Sequence, residues 1–542
     1  MPRLPPALIR QATSQNPLLT LLLRVCRDLP SARNELRWLQ EHARDVVNTK
    51  RYASHEASSS VLPASTAQGE SVPIRKHEAK KLTVRKVKVL TERTRIRTYN
   101  VGKISSLRAE GPRPSIRKVP TQNKHDSVRA FKPAKIRTWH DDGVRELRLR
   151  SQSDEVLVTG ESNEHVQVQK ILAENVGKRS KGMPLQYIIG NQPFGNLDIL
   201  CQRRVLIPRP ETEMYTEKVG NLLLSALNSI YSSTGPRSQT HKKFRILDLC
   251  TGTGCIALLL HSVLKPPGRV YDNTVIPPNI SIEILGVDNS PDAVSLARTN
   301  LKHNISQKLL HPDAANEVSF RNVDVLALAK KGGDGDDRRH HVRKVLNAAA
   351  ADVGEDDDSY SPSESWDMII ANPPYIGPKD YERGGKTEPS VRDYEPKEAL
   401  VPRYARGQDS YFRYRSSSIL VADLFYWPLM RIARAVDAKL LVMEVGDSEQ
   451  ASRVCKQVFN NYSPDTAALS QFRPRLETWR DDGSVRIIPT QPSANFDAGF
   501  EEATDPDIAD RAVVVWTDQM ADWRRETLPA SNPEFDETLR SD

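Results

Sequence analysis

The chain has 542 residues, 27% charged and 38% apolar, with a formal net charge of +9, and its length asks for more than one folding unit. No apolar run approaches the roughly 20 residues that cross a bilayer; the longest, "LLTLLLRV" and "IALLLHSVL", are short and interrupted by Arg or His, so membrane insertion is not expected. Five cysteines (Cys26, Cys201, Cys250, Cys255 and Cys455) form no C-x-x-C pair, which argues against zinc and for a reducing compartment.

The first 27 residues carry Arg3, Arg10, Arg24 and Arg27 and no acid before Asp28. Organellar transit peptides and ordinary basic amphipathic helices both have that composition. Across residues 14–47, Leu, Val and Trp recur at helical spacing, broken at Pro30 and restarted by a cap-like Ser31, which predicts two short helices. From about 54 to 150 the pattern dissolves into Ser, Lys, Arg and Pro. Ile74–Arg150 alone holds 23 Lys and Arg against 7 Asp and Glu, a net of +16, which leaves −7 for the rest of the chain. Such a stretch buries too little to offset its ordering entropy, so disorder is expected. A helix resumes at Asn163–Lys178. The basic stretch 54–150 therefore reads as an insertion within a small helical domain made of 1–53 and 151–183.

"PLQYIIGNQPFGNLDILCQRRVLIPRPETE" follows, and its β-rich pieces predict a hairpin connector over 184–207. Strands and helices then alternate: "FRILDLC", a Gly-rich turn opening the helix "TGTGCIALLLHSVL", "SIEILGVD", and the helix "SPDAVSLARTNLKHN" with Ser290 as cap and Pro291 in its first turn. "VSFRNVD" and "WDMIIANPPY" are further strands, "SSSILVADLFYWPLMRIARAV" a helix, "AKLLVMEVG" a fifth strand, and "RLETWR" with "DRAVVVWT" a closing antiparallel pair. This alternation predicts a doubly wound α/β sheet over 208–527, followed by a tail at 528–542. Gly-, Asp- and Ser-rich stretches at about 330–365 and 491–509 read as mobile surface insertions. His340, His341 and the nearby acids lack fixed spacing, so no metal site is predicted there.

Three acids mark the ends of successive strands. Asp248 precedes the turn Cys250, Thr251, Gly252, Thr253 and Gly254, where glycine lets the backbone approach a ligand and the helix start offers free N–H groups. An acid there would repel a pyrophosphate but suits a cation. Asp288 is placed to accept from two ribose hydroxyls, and Asp324 from an adenine amino group. A cationic ligand with ribose, adenine and no phosphate is S-adenosylmethionine. The competing reading is that these acids only cap the helices that follow.

At the end of the fourth strand stands Asn372-Pro373-Pro374-Tyr375. Prolines fix φ and donate no hydrogen bond, so the Pro373 carbonyl is held rigidly outward. With the Asn372 side-chain oxygen it can grip both hydrogens of a planar NH2 group, while Tyr375 lies against that group's face. An amide nitrogen is a poor nucleophile because its lone pair is delocalised. Holding it aligned with a sulfonium methyl supplies the missing reactivity, and the same acceptors stabilise positive charge developing on nitrogen.

Asn-Pro-Pro-Tyr is shared by several methyltransferases acting on planar nitrogens. In the order "PLQYIIG", "VLIPRPETE", "DLCTGTGCIAL", "VDNSPDAVSLARTN", "NPPYI", "VRDYEP", "GQDSYFRY" and "LLVMEVG", however, the chain resembles the HemK/PrmC-type release factor glutamine methyltransferases. The resemblance implies a Rossmann-like class I methyltransferase that uses S-adenosylmethionine to methylate N5 of the glutamine in a Gly-Gly-Gln loop. The partner it implies is a class I peptide chain release factor, docked in part by the helical amino-terminal domain. It places the glycine-rich loop on Cys250–Gly254, the ribose acid on Asp288, the adenine contact on Asp324 and Val325, and the substrate clamp on Asn372, Pro373, Pro374 and Tyr375, with Asn372 also near the methyl donor. Arg209, Pro210 and Thr212 would close over the cofactor. Val325 departs from an aromatic often found at its position, and the basic insertion has no counterpart in the family pattern.

The expected setting is the mitochondrion, on the amino-terminal composition and the helical domain, and otherwise the cytoplasm; a monomer is expected. The rival reading is an N6-adenine or N2-guanine nucleic-acid methyltransferase that uses the +16 segment as a phosphate-binding arm. Either way the insertion's contribution would be electrostatic, toward RNA, the ribosome or an anionic membrane. Deleting Ser60–Val144 should leave methylation of an isolated release factor nearly unchanged, because long insertions cost little closure entropy. The same deletion should abolish any salt-sensitive RNA binding seen by filter retention. Loss of methyl transfer in a folded deletion protein would put the insertion in the substrate site.

Overall fold

The computed structural model describes residues 4–59, 160–232, 241–268, 276–330, 336–354, 361, 364–403, 420–462, 474–489 and 508–528. Most of the basic insertion, nearly all of the 491–509 stretch, the tail beyond 528 and the "GQDSYFRY" motif lie outside these residues.

The amino-terminal helices are Pro6–Gln15, Pro17–Cys26, Leu29–Ser59 and Gly160–Ser180. The expectation of two short helices over 14–47 is corrected on two counts. An additional helix lies upstream and ends at Asn16, and the break between the two expected helices falls at Arg27 and Asp28, just before Pro30. Asn16 caps the second helix by accepting the Leu18 N–H at 2.9 Å, with Pro17 at the first helical position. Pro30 sits in the first turn of Leu29–Ser59, where its missing N–H would be unsatisfied anyway. There Asp28, not Ser31, supplies the cap, accepting the Ser31 N–H at 2.8 Å.

Leu19, Leu22, Leu23, Leu36 and Leu39 pack with Leu172 and Val176 in one apolar cluster. The residues before and after the basic insertion thus share a core. Arg179 closes it with a two-pronged bond to Glu35, both contacts at 2.8 Å, with little of either side chain exposed. The arginine-bearing segment 1–27 gives Ala12, Leu19, Leu22 and Leu23 to this cluster, so it packs as a pair of amphipathic helices.

"LQYII", expected as extended chain, is a helical turn, Leu185–Ile189, preceded by Pro184 and ended by Gly190 at φ 93°. The expected hairpin follows it: β1 (Asn191–Phe194) pairs antiparallel with β2 (Leu197–Leu200). Two buried asparagines of the helix Pro291–Ser306 hold it: Asn300 Oδ1 accepts the Leu200 N–H at 2.8 Å and Asn304 Oδ1 the Asp198 N–H at 2.9 Å.

The main sheet contains β3 (Lys242–Leu249), β4 (Ile280–Asp288), β5 (Val318–Asn322), β6 (Met368–Ala371), β7 (Leu440–Glu444), β8 (Arg475–Arg480), β9 (Val485–Ile488) and β10 (Asp510–Trp516). Their order is β5-β4-β3-β6-β7-β10-β8-β9. The first five are mutually parallel, and β10 inserts antiparallel between β7 and β8. This is the predicted doubly wound α/β sheet with its antiparallel closure, plus β9, which the sequence reading did not anticipate. Strand interiors are apolar on both faces because helices cover both. Ile246, Ile284, Ile370 and Val442 pack toward one helical layer, and Leu247, Leu285, Ile369 and Leu441 toward the other. Strand order reverses between β3 and β6, so their carboxyl ends flank the crevice where such sheets bind ligands.

The stretch 330–365 is not simply a surface loop. Asp336–Ala351 is a helix that buries Val342 and Leu346. Its Asn347 Oδ1 accepts from Trp366 Nε1 and Arg245 Nη1, both at 2.9 Å. The charged run "DDRRHH" masks the apolar spacing that follows it. The helix after β6 is also shorter than expected, Tyr426–Ala435.

Leu172 is 1% exposed. Leu172→Ala should therefore destabilise the protein by about 2–5 kcal/mol. Chemical denaturation should resolve this as an earlier transition; an unchanged one would mean that the helix after the insertion is not part of the amino-terminal core.

Candidate active site

The turn after β3 departs from ordinary backbone geometry at three residues: Cys250 at φ 67°, Gly252 at φ 55° and Gly254 at φ 80°. Glycine at 254 is also a packing requirement, since a Cβ there would lie 2.8 Å from Phe320 Cζ and 3.0 Å from Ala297 Cβ. A Cβ on Gly252 would meet nothing within 4 Å. At Gly252 the backbone faces open space that a ligand can enter, and its positive φ disfavours any side chain.

Asp248 lies beneath this turn rather than beside the ligand space. It is 0% exposed, and its Oδ2 accepts from Thr251 Oγ1 at 2.5 Å and from the Ala257 N–H at 3.3 Å. Burial pushes its carboxyl up to about 7, and its Oδ1 has no hydrogen-bond partner. The expectation that it faces the cofactor is corrected: it fastens the loop from below. Thr251 and Thr253 are likewise buried.

A cleft of about 640 Å³ opens above the turn, lined by Cys250, Gly252, Asp288, Asp324, Val325, Asn372 and Pro374. Asp288 accepts the Gly252 N–H at 3.0 Å on Oδ2 and the Ser290 N–H at 2.9 Å on Oδ1. Each oxygen keeps a lone pair for a further donor. Burial raises its pKa, and these backbone donors pull it back down. Asp324 is exposed; its Oδ1 accepts the Leu326 and Ala327 N–H groups at 2.9 and 3.1 Å, so it caps a helix and lines the cleft at once. Asp288, Asp292, Asp324, Glu395 and Glu398 outnumber Arg203 and Arg204 around the cleft, a balance that suits a cation. The buried edge of Phe425 supplies an aromatic wall that the sequence reading did not assign.

A second pocket of about 330 Å³ adjoins the first, and Asn372 lines both. Tyr375, Arg209, Gly446 and Gln450 line the second pocket only. The Tyr375 ring lies against Gly446, where a Cβ would come within 3.1 Å of its Cδ2. The Tyr375 hydroxyl donates to Glu444 Oε1 at 3.0 Å, and Thr212 Oγ1 donates to Glu444 Oε2 at 2.7 Å. Asn372 Nδ2 donates in turn to Thr212 Oγ1 at 3.2 Å. Glu395 Oε1 accepts from Arg209 Nη2 at 2.6 Å and its Oε2 from the Ile207 N–H at 3.1 Å, which ties "IPRP" to "DYEP".

Of the residues expected to bind the cofactor, the cleft gathers Cys250, Gly252, Asp288, Asp324, Val325 and Asn372. Asp248, Thr251, Thr253 and Gly254 instead build the turn. Arg209 lies in the adjoining pocket, Pro210 starts the helix Pro210–Ser232, and Thr212 is buried below Asn372, so the expected closure of these three over the cofactor is not the arrangement seen. Pro373 is buried and Pro374 reaches the cleft. Among the described residues no group of three or more His, Cys, Asp or Glu could hold a metal ion, and no helix is long and apolar enough to cross a membrane.

A doubly wound sheet with an antiparallel strand beside β7, a glycine turn after β3, a bonded acid ending β4 and an acidic cleft reaching Asn372 define a class I S-adenosylmethionine-dependent methyltransferase. The cleft fits that cofactor on its own chemistry: open space at Gly252, acceptors on Asp288 and a negative balance. No family model matches the chain. It is 30% identical over 284 residues, 52% of its length and 70% of the relative's, to the probable MRF1 mitochondrial N(5)-glutamine methyltransferase of Schizosaccharomyces pombe. It is also 31% identical over 225 residues, 41% of this chain and 51% of the relative, to the mitochondrial MRF1 N(5)-glutamine methyltransferase of Saccharomyces cerevisiae. To the release factor glutamine methyltransferase of Pasteurella multocida it is 30% identical over 230 residues, covering 42% of this chain and 57% of that one. The chain belongs to the release factor N5-glutamine methyltransferase family. Among solved structures, the hMettl16 catalytic domain aligns over 63% of this chain and 81% of that one at 14% identity with a TM-score of 0.30, too loosely to carry an argument.

Asp288→Ala should weaken S-adenosylmethionine binding by about 1.5–3 kcal/mol, the worth of a charged acceptor. Isothermal calorimetry measures this directly, and an unchanged affinity would remove Asp288 from the cofactor site.

Proposed function

We propose that this chain methylates the side-chain amide nitrogen of the glutamine in the Gly-Gly-Gln loop of a class I release factor, and that it does so in mitochondria. The observation that carries the reading is the place of Asn372 at the junction of an acidic cleft and a second pocket floored by Tyr375. The mitochondrial setting rests on the names of the two yeast relatives, and the release factor on the name of the Pasteurella multocida relative. The helical bundle around Leu22, Leu39 and Leu172 is taken as the part that helps dock the factor.

In this reading Asp288 and Asp324 hold the cofactor's hydroxyl and amino donors, with Gly252 leaving room for it and Val325 and Phe425 walling the cleft. When bound, S-adenosylmethionine supplies an electrophilic sulfonium methyl group. The chain's own task is to present a weak nucleophile to it. Asn372 accepts a hydrogen from the substrate amide, the Pro373 carbonyl accepts the other, and Tyr375 covers the amide plane. These acceptors fix the nitrogen's direction and strengthen as positive charge develops on it. Arg209, which lines the second pocket, is held by its ion pair with Glu395.

Asn372→Ala should lower turnover by about 10²–10³ while changing the Michaelis constant for the release factor far less, because the lost bond counts mainly in the transition state. Steady-state kinetics with purified factor decide this. Normal turnover with only a raised Michaelis constant would reduce Asn372 to a binding residue.

A further inference from the structure

Resting on the reading of Asn372 as the acceptor for the substrate amide, we propose that the buried Thr212–Glu444 pair is a positioning device that sets which way round the Asn372 side-chain amide stands. An asparagine offers an oxygen on one side and an NH2 group on the other, nearly equal in shape and opposite in hydrogen-bonding sense. Only the oxygen can accept from a substrate amide. A flipped Asn372 would present two donors to two donors and repel the group it should grip. Something must therefore choose the orientation.

The choice is made one and two bonds away. Glu444 ends β7 and is 2% exposed. As a carboxylate it can only accept, and it takes the Thr212 hydroxyl at 2.7 Å on Oε2 and the Tyr375 hydroxyl at 3.0 Å on Oε1. Thr212 is also 2% exposed. Its one hydrogen is committed to Glu444, so toward Asn372, 3.2 Å away, its oxygen can only accept. The partner it accepts from must be the Asn372 NH2 group. That leaves Asn372 Oδ1 as the free end of a side chain that lines both the cleft and the second pocket. The same carboxylate anchors Tyr375, so one buried acid aligns two members of the substrate clamp. Burial raises the Glu444 pKa, and the Thr212, Tyr215 and Tyr375 hydroxyls pull it back toward the ionised state that the device needs.

The Pro210–Ser232 helix makes the arrangement possible by bringing Thr212 under the NPPY corner in its first turn. Asn372 is then oriented by a helix start and a strand end far apart in sequence. Neither Thr212 nor Glu444 touches substrate in this account, and each acts through Asn372 or Tyr375.

Thr212→Val keeps the shape and removes the hydroxyl. It should lower kcat about 10–100-fold, the cost of an unset polar orientation, with the release factor KM and the S-adenosylmethionine Kd within about two-fold of wild type. Thr212→Ser keeps the hydroxyl and should stay within about three-fold of wild-type kcat. The decisive comparison is a double-mutant cycle: in an Asn372→Ala background, Thr212→Val should change kcat by less than about two-fold, because the side chain it orients is gone. Should valine at 212 lower the melting temperature enough to spoil the comparison, Thr212→Ala is carried through the same cycle. Wild-type kcat in Thr212→Val beside an inactive Asn372→Ala would overturn the device. So would losses that multiply in the double variant, or a Thr212→Ser as poor as valine. Full turnover in Asn372→Ala alone would instead overturn the underlying reading of Asn372.

Discussion

One buried carboxylate at the carboxyl end of β7, Glu444, is the interaction on which the site's geometry depends. A charge removed from water must be met by donors or it is expelled by protonation. Glu444 is met by hydroxyls from two separate elements, Thr212 at the start of a helix and Tyr375 in the turn after β6. Satisfying one acid therefore locks the strand, the helix start and the NPPY corner into one register. The corner itself leaves a strand whose four residues are all buried, so it cannot slide without exposing apolar surface.

The cofactor side is built on the same plan from a second buried acid. Asp248 has neither the exposure nor the position to meet a ligand. It pins Thr251 and the Ala257 N–H, and that fixes the strained turn which leaves Gly252 bare. Asp288 then holds the Gly252 N–H from the neighbouring strand. Asn300 ties the far side of the turn to the β1–β2 hairpin, donating to the Thr253 and Leu200 carbonyls at 2.9 and 3.3 Å. Polar groups buried in hydrogen-bonded networks of this kind specify a single arrangement. The two halves meet where strand order reverses, and Asn372 lines both cavities together with Leu206 and Ala399.

Much of this was legible in the sequence, for reasons that particular residues make plain. β6 and the first four residues of β7 are continuous apolar runs, as a sheet covered on both faces requires, and Ser290 with Pro291 announces the helix start where it occurs. Asn372, Tyr375, Asp288 and Gly252 could be singled out because they fall at the carboxyl ends of successive strands, in a glycine turn, an acid and the NPPY run that together suit one ligand. Glu444 could not, because an acid inside "LLVMEVG" looks like the close of a strand until Thr212 and Tyr375 are seen to point at it. Asp248 was misjudged for the converse reason: strand ends show which residues lie near the crevice but not on which side of the turn a side chain falls. The helix Asp336–Ala351 was hidden by the charges at its start, and the helical turn Leu185–Ile189 by β-branched residues that a short segment can carry once proline and glycine bound it.

The central claim is that the group methylated is a glutamine amide of a release factor. Purified chain incubated with methyl-labelled S-adenosylmethionine and a class I release factor tests it most directly, with the factor's Gly-Gly-Gln glutamine changed to alanine and bulk RNA in parallel reactions. The account predicts label on the intact factor alone, located by mass spectrometry on the amide nitrogen of that glutamine. Label on the alanine variant or in the RNA, with the intact factor unlabelled, would contradict it.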